Sequence, residues 1–158
     1  MVLSTVLHLW LTQLKICYWD DFMTDKELVL KAIDAMKNSY SPYSKFKVGA
    51  ALLTENGTVY TGCNIENVAF GPTVCAERVA FFKAISEAEK VFSKIAVVGG
   101  KDGIITSPTP PCGVCRQVMR EFCNDDFEIL IVRENNEFEK VLLKELLPLS
   151  FKPEILSK

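Results

Sequence analysis

Two short runs, Cys75-Ala-Glu77-Arg78 and Pro111-Cys112-Gly-Val-Cys115, constrain this chain more than any other feature. Their first cysteines stand 37 positions apart, so a fold that uses them together must bring two distant segments to one point. Three thiols at such spacing suit a zinc ion with three protein ligands and one open tetrahedral position, the arrangement of a catalytic zinc; a structural zinc is closed by four. Glu77 is then free to move protons instead of holding metal. The chain's single histidine, His8, lies in the N-terminal stretch, so imidazole can serve neither as ligand nor as base in the body of the chain. Cys123 falls two to three turns down the expected helix from Cys115, too far to be a fourth ligand.

A length of 158 residues fits one domain with one continuous core. The formal net charge of −2 and the absence of a basic run argue against nucleic acid as a partner and for a small uncharged substrate. A chain that builds its own core needs no disulfide staples, and C-x-x-C in such a chain more often binds metal or does redox chemistry. Cys17, Cys63 and Cys123 therefore read as reduced, mostly buried thiols, and the compartment as reducing and cytoplasmic.

Residues 1–22 read as an N-terminal extension of unknown role, either dispensable or a helix that docks on a surface or touches a membrane. Leu3, Val6, Leu7, Trp10, Leu11 and Leu14 fall at helical spacing, but the apolar run is too short to span a bilayer and has no basic leader. The domain is expected over 23–158, opening with a helix over 25–39 capped at Thr24-Asp25 and ended by Ser41-Pro42. Strands are expected at 46–54 and 59–63, joined by a hairpin turn at Glu55-Asn56-Gly57-Thr58, where Asn-Gly tolerates positive φ. Helices over 74–89 and 112–123 then alternate with strands at 95–99, 127–132 and 138–142, and a short helix at 143–147 stops at Pro148. A hairpin followed by alternating strands and helices gives a three-layer α/β/α sandwich around a mixed five-stranded sheet.

Both cysteine groups fall at the first turn of an expected helix. There unpaired N–H groups and the positive end of the helix dipole favour thiolate over thiol. A divalent cation with three thiolates and a hydroxide is net negative, and strong thiolate donation leaves the bound water less acidic than at a histidine-ligated zinc. A nearby cation would offset this. Arg78 is the expected partner of the thiolates, with Arg116, next to Cys115, as the other candidate.

Taken together, five runs resemble the small, tetrameric class of cytidine deaminases over essentially the whole of 23–156. They are Ser41-Pro-Tyr-Ser-Lys-Phe46-Lys-Val-Gly-Ala-Ala-Leu52, Gly62-Cys-Asn64-Ile-Glu66-Asn67, Cys75-Ala-Glu77-Arg78, Pro111-Cys112-Gly-Val-Cys115-Arg-Gln117 and Glu145-Leu-Leu-Pro148 with Phe151. The resemblance implies Zn2+ as cofactor, a water attacking C4 of the pyrimidine, and Glu77 as the proton shuttle to N3 and then to the departing amine. It further implies that the Ala76 N–H binds the base carbonyl, that Phe46 packs on the base, and that Asn64 and Glu66 hold the ribose hydroxyl. Phe151 would reach the site of a neighbouring subunit in a homotetramer. Phe70 stands where the family commonly carries Tyr, and the 101–110 loop is longer than the class suggests.

The reaction so implied is hydrolytic deamination of cytidine and 2′-deoxycytidine in pyrimidine salvage, with a nucleoside as the only partner besides other copies of the chain, and with no membrane or nucleic acid. One alternative is a deaminase of a cytosine nucleoside analogue, such as the related blasticidin S deaminases. Another is a non-catalytic zinc scaffold or a nucleic-acid-binding editing module, against which stand an intact Glu77 and an acidic net charge.

Overall fold

A computed structural model of the chain describes residues 23–156, so the reading of 1–22 as an extension with a possible amphipathic helix falls outside the described residues. Helix α1 (Asp25–Met36) begins with a capping box: the Thr24 hydroxyl accepts from the Glu27 N–H while the Glu27 carboxylate accepts from the Thr24 N–H. It ends three residues short of the expected 39. The N–H groups of Asn38 and Ser39 turn onto the carbonyls of Ala35 and Met36, tightening the chain well before Pro42.

Strands β1 (Phe46–Thr54) and β2 (Val59–Cys63) form the expected hairpin. Gly57 takes a φ of 91°, and Asn56 Oδ1 accepts from the Thr58 N–H and the Thr54 hydroxyl, closing the turn. Then follow α2 (Ala76–Ser86), β3 (Phe92–Lys101), α3 (Gly113–Phe122), β4 (Glu128–Val132), β5 (Phe138–Leu142) and α4 (Leu143–Leu146). The sheet order is β2-β1-β3-β4-β5, with β3 and β4 parallel and the other neighbours antiparallel. This is the mixed five-stranded sheet read from the sequence. β3 is longer than the apolar stretch 95–99, because β1 pairs along it from Lys101 back to Phe92.

Side chains alternate across the sheet, and both faces are covered. Ala50, Leu52, Ile95, Val97, Ile129 and Ile131 pack with Ala80, Phe81, Met119 and Leu143 of α2, α3 and α4. Ala51, Leu53, Ala96, Val98, Leu130 and Val132 pack with Leu28, Val29, Ala32 and Met36 of α1. A strand buried on both sides reads as a continuous apolar run, and this is why the central strands stand out in the sequence.

Two glycines set how closely the helices lie. A Cβ on Gly49 would stand 2.1 Å from the Ala32 carbonyl oxygen, and one on Gly62 2.3 Å from that of Ala76. The second contact seats the first turn of α2, which follows Cys75 and carries Glu77, directly on β2. No helix among the described residues is long and apolar enough to cross a membrane.

Candidate active site

Cys75 and Cys112 are the N-cap residues of α2 and α3, and neither spends its side chain on capping. Cys115 follows in the first turn of α3 and is 1% exposed. The sheet and its two helices thus bring the three sulfurs together: Cys75 to Cys112 is 3.8 Å, Cys112 to Cys115 is 3.6 Å, and all three lie within 4.8 Å of one another. Three sulfurs bound tetrahedrally at about 2.3 Å from a zinc ion would be about 3.8 Å apart. The donor set and its spacing therefore fit the ion, and among the described residues no fourth Cys, His, Asp or Glu joins the cluster.

Each neighbour of the cluster shapes its charge. The Cys75 thiol is pulled down to about 5, first by its hydrogen bond with Cys115, against burial, and further by Arg78 and Cys112. Cys115 is pushed up, since it gives that hydrogen bond and a second anion beside the first is disfavoured. The Arg78 Nη2 donates to the Thr73 carbonyl at 3.1 Å and reaches Cys75 Sγ at 3.8 Å. Arg116 points elsewhere, onto the carbonyls of Pro111 and Leu146.

Glu77 lies in the first turn of α2 and is only 4% exposed. Burial, with the nearby Cys75 adding to it, raises its carboxyl to about 7. A carboxyl poised there can accept a proton and return it near neutral pH.

The other candidate residues form a second group. Asn64 is buried, and its amide is largely committed: Oδ1 accepts from the Val48 N–H and the Ser39 hydroxyl, and Nδ2 donates to the Phe46 carbonyl. Two lone pairs and one N–H are thereby used, so one N–H remains for a ligand. Glu66 Oε2 accepts from the N–H groups of Tyr43 and Ser44, and the Ser44 side chain first, against burial, with these main-chain bonds after it, holds the carboxyl below its usual range. The Phe46 ring edge and the Thr109 side chain meet over Gly99, where a Cβ would stand 2.9 Å from each. Ala76 is fully buried as the first residue of α2.

Phe151 is tied to α3 instead, its carbonyl accepting from Gln117 Nε2 at 2.9 Å while more than half of the residue stays exposed. Phe70 is also exposed and meets Tyr43 edge-on, with ring centroids 6.2 Å apart. The tethers made by Ser39, Arg116 and Thr109 were not anticipated. Each joins segments that only the closed fold makes adjacent, and no spacing in the sequence announces them.

Residues 23–131 match the family described as the cytidine and deoxycytidylate deaminase zinc-binding region. The chain is 46% identical over 135 residues to a cytidine deaminase of Sporosarcina psychrophila, covering 85% of this chain and 96% of that one. It is 44% identical over 131 residues to one of Halalkalibacterium halodurans, covering 82% and 96%. Its fold is similar to the crystal structure of cytidine deaminase from Burkholderia pseudomallei, with a TM-score of 0.75 and 40% identity over 82% of this chain and 100% of that one. A three-layer α/β/α fold with a three-thiol zinc cluster and a buried carboxyl defines a zinc-dependent deaminase. This chain belongs to the cytidine and deoxycytidylate deaminase family.

Proposed function

We propose that this enzyme hydrolyses cytidine and 2′-deoxycytidine to uridine and 2′-deoxyuridine with release of ammonia, in pyrimidine salvage. The observation that carries the reading is Glu77, buried with its carboxyl near 7 beside three sulfurs that no fourth protein donor joins among the described residues. Cys75, Cys112 and Cys115 hold zinc, which when bound supplies Lewis-acid activation of a water. Glu77 takes the proton that this water loses on attack at C4 and passes it to N3; it then takes the proton of the new C4 hydroxyl, as that becomes the carbonyl, and delivers it to the departing amine. One water is consumed and one ammonia leaves, so Glu77 ends each cycle as it began.

The remaining residues orient the nucleoside. The Ala76 N–H, unpaired at the start of α2, donates to the base carbonyl. Phe46 packs on the base. The spare N–H of Asn64 donates to a ribose hydroxyl oxygen, and the Glu66 carboxylate accepts a hydrogen bond from that hydroxyl. Arg78 offsets the negative charge of the thiolates.

An apolar groove between α2 and α3, lined by Phe82, Val114, Val118 and Phe122, supports assembly of copies into a homotetramer in which Phe151 completes a neighbour's site. Three cysteines that serve as metal ligands, with Cys63 and Cys123 as thiols beside them, suit a reducing, cytoplasmic setting. The domain is assigned to 23–158, and residues 1–22 to an extension that catalysis does not need.

The test is ammonia release from cytidine, 2′-deoxycytidine and blasticidin S, measured together with zinc content. Turnover of both nucleosides at about one zinc per chain is expected. Turnover of blasticidin S alone, or none at full zinc loading, overturns the proposal. Sedimentation tests the tetramer, and deletion of 1–22 with unchanged activity tests the domain assignment.

A further inference from the structure

Arg116, one residue beyond Cys115, commits its side chain to two main-chain carbonyls far apart in sequence. Its Nε donates to the Pro111 oxygen at 2.7 Å and its Nη1 to the Leu146 oxygen at 2.7 Å. Pro111 immediately precedes Cys112, so the guanidinium grips the chain one peptide unit from a metal ligand.

The grip matters because of what leads into Cys112. Residues 105–112 form neither helix nor strand, and Pro108, Pro110 and Pro111 carry no N–H. A stretch so poor in donors is fastened mainly through its carbonyls. The Thr109 hydroxyl donates to the Gly99 carbonyl at 3.3 Å, and Arg116 supplies the shorter bond, next to the ligand itself. Packing does little for Cys112, which is exposed, whereas Cys115 is buried in the core of the domain. At its other end the guanidinium reaches the last residue of α4, and the adjacent Gln117 holds the Phe151 carbonyl. Two consecutive side chains of α3 therefore fasten the C-terminal segment to the helix that bears two of the three thiols.

We propose that Arg116 is a positioning residue for Cys112, and that through it the C-terminal segment helps to determine how firmly the three sulfurs retain zinc. The inference rests on the reading that Cys75, Cys112 and Cys115 hold the metal. A planar guanidinium can serve two carbonyls in different directions at once, but a lysine ammonium on a single flexible stem cannot reproduce that fork.

The experiment compares zinc-loaded full-length wild type, Arg116→Lys and Arg116→Met. Zinc release to a chromophoric chelator is followed in time, and thermal unfolding is measured in excess zinc. Both variants are expected to release zinc about 10-fold faster, the lower end of what loss of a ligand-supporting contact costs, with the unfolding midpoint lowered only by the few degrees that losing the two hydrogen bonds costs. Release at the wild-type rate by a folded variant overturns the proposal. So does release that returns to the wild-type rate when variant and wild type are compared at equal distances below their unfolding midpoints, since that marks general loosening. Should Arg116→Met not fold, Arg116→Lys decides alone. A wild-type protein that takes up no zinc overturns the ligand assignment instead.

Discussion

The Nη2 of Arg78 lies 3.8 Å from Cys75 Sγ and 3.1 Å from the Thr73 oxygen, so one nitrogen serves both the residue that opens α2 and the loop leading into it. Replacing Arg78 with Gln removes a cation from beside three sulfurs. We expect kcat to fall by about 10-fold, the lower range for a contact that supports a ligand, with a smaller change in KM. Steady-state kinetics on cytidine with zinc measured per chain checks this; unchanged kcat at equal loading would refute it.

Glu77→Gln keeps the shape of the side chain and removes its ability to shuttle a proton. Loss of a positioned acid–base group costs about 10²–10⁴-fold in rate. Turnover should fall by at least the lower figure while zinc content stays that of wild type, because Glu77 is not among the clustered metal donors. Ammonia release beside metal analysis separates this from a loss of zinc.

A charge network across β3, β4 and β5 and the start of α1 gives the fold a pH dependence. Lys94 and Lys140 each pair with both Asp25 and Glu128, at 2.7 to 3.1 Å. Burial alone would raise both carboxyls, but the two lysines outweigh it and hold them below their usual range. Their folded-state values lie below the unfolded ones, so the stabilisation is fully present above pH ~4.5 and is lost as pH falls through the folded values. The pairs are partly exposed and screened, so about 1 kcal/mol is expected. Urea unfolding between pH 6 and 3 should show a steeper loss for wild type than for Asp25→Asn; equal slopes would refute it.

Gly62→Ala places a methyl 2.3 Å from the Ala76 oxygen and 2.7 Å from the Ala80 nitrogen, both main-chain atoms that cannot swing aside. Helix α2 must shift, at a cost of about 1–3 kcal/mol. Cys75 and Glu77 sit at the end of α2 that presses on Gly62, so activity should fall with stability. Denaturant midpoints and kcat measured on one preparation test the coupling; a stable variant with normal kcat would contradict it.

Much of this was legible in the chain because several local rules agreed. Thr24 with Glu27 marks a helix start, Asn56-Gly57 marks a turn, and strands buried on both faces read as unbroken apolar runs. The three cysteines were legible because metal chemistry restricts ligand type and number. The ends of β3 were not, since Lys94 and Lys101 interrupt the apolar run while their main chains stay paired with β1. Nor was the bridge from Arg116 to Leu146, or the clasp of Asn64 on Phe46 and Val48, since each depends on how distant segments come to lie side by side.

The register of β1 on β3 separates the two ends of the hairpin. Phe46 pairs with Lys101 beside Gly99 and Thr109, whereas Thr54 pairs with Phe92 at the opposite end, next to the Asn56-Gly57 turn. That turn is consequently a place where chain can be added or a dye or surface tether attached, with the full length of a nine-residue strand between the graft and Phe46.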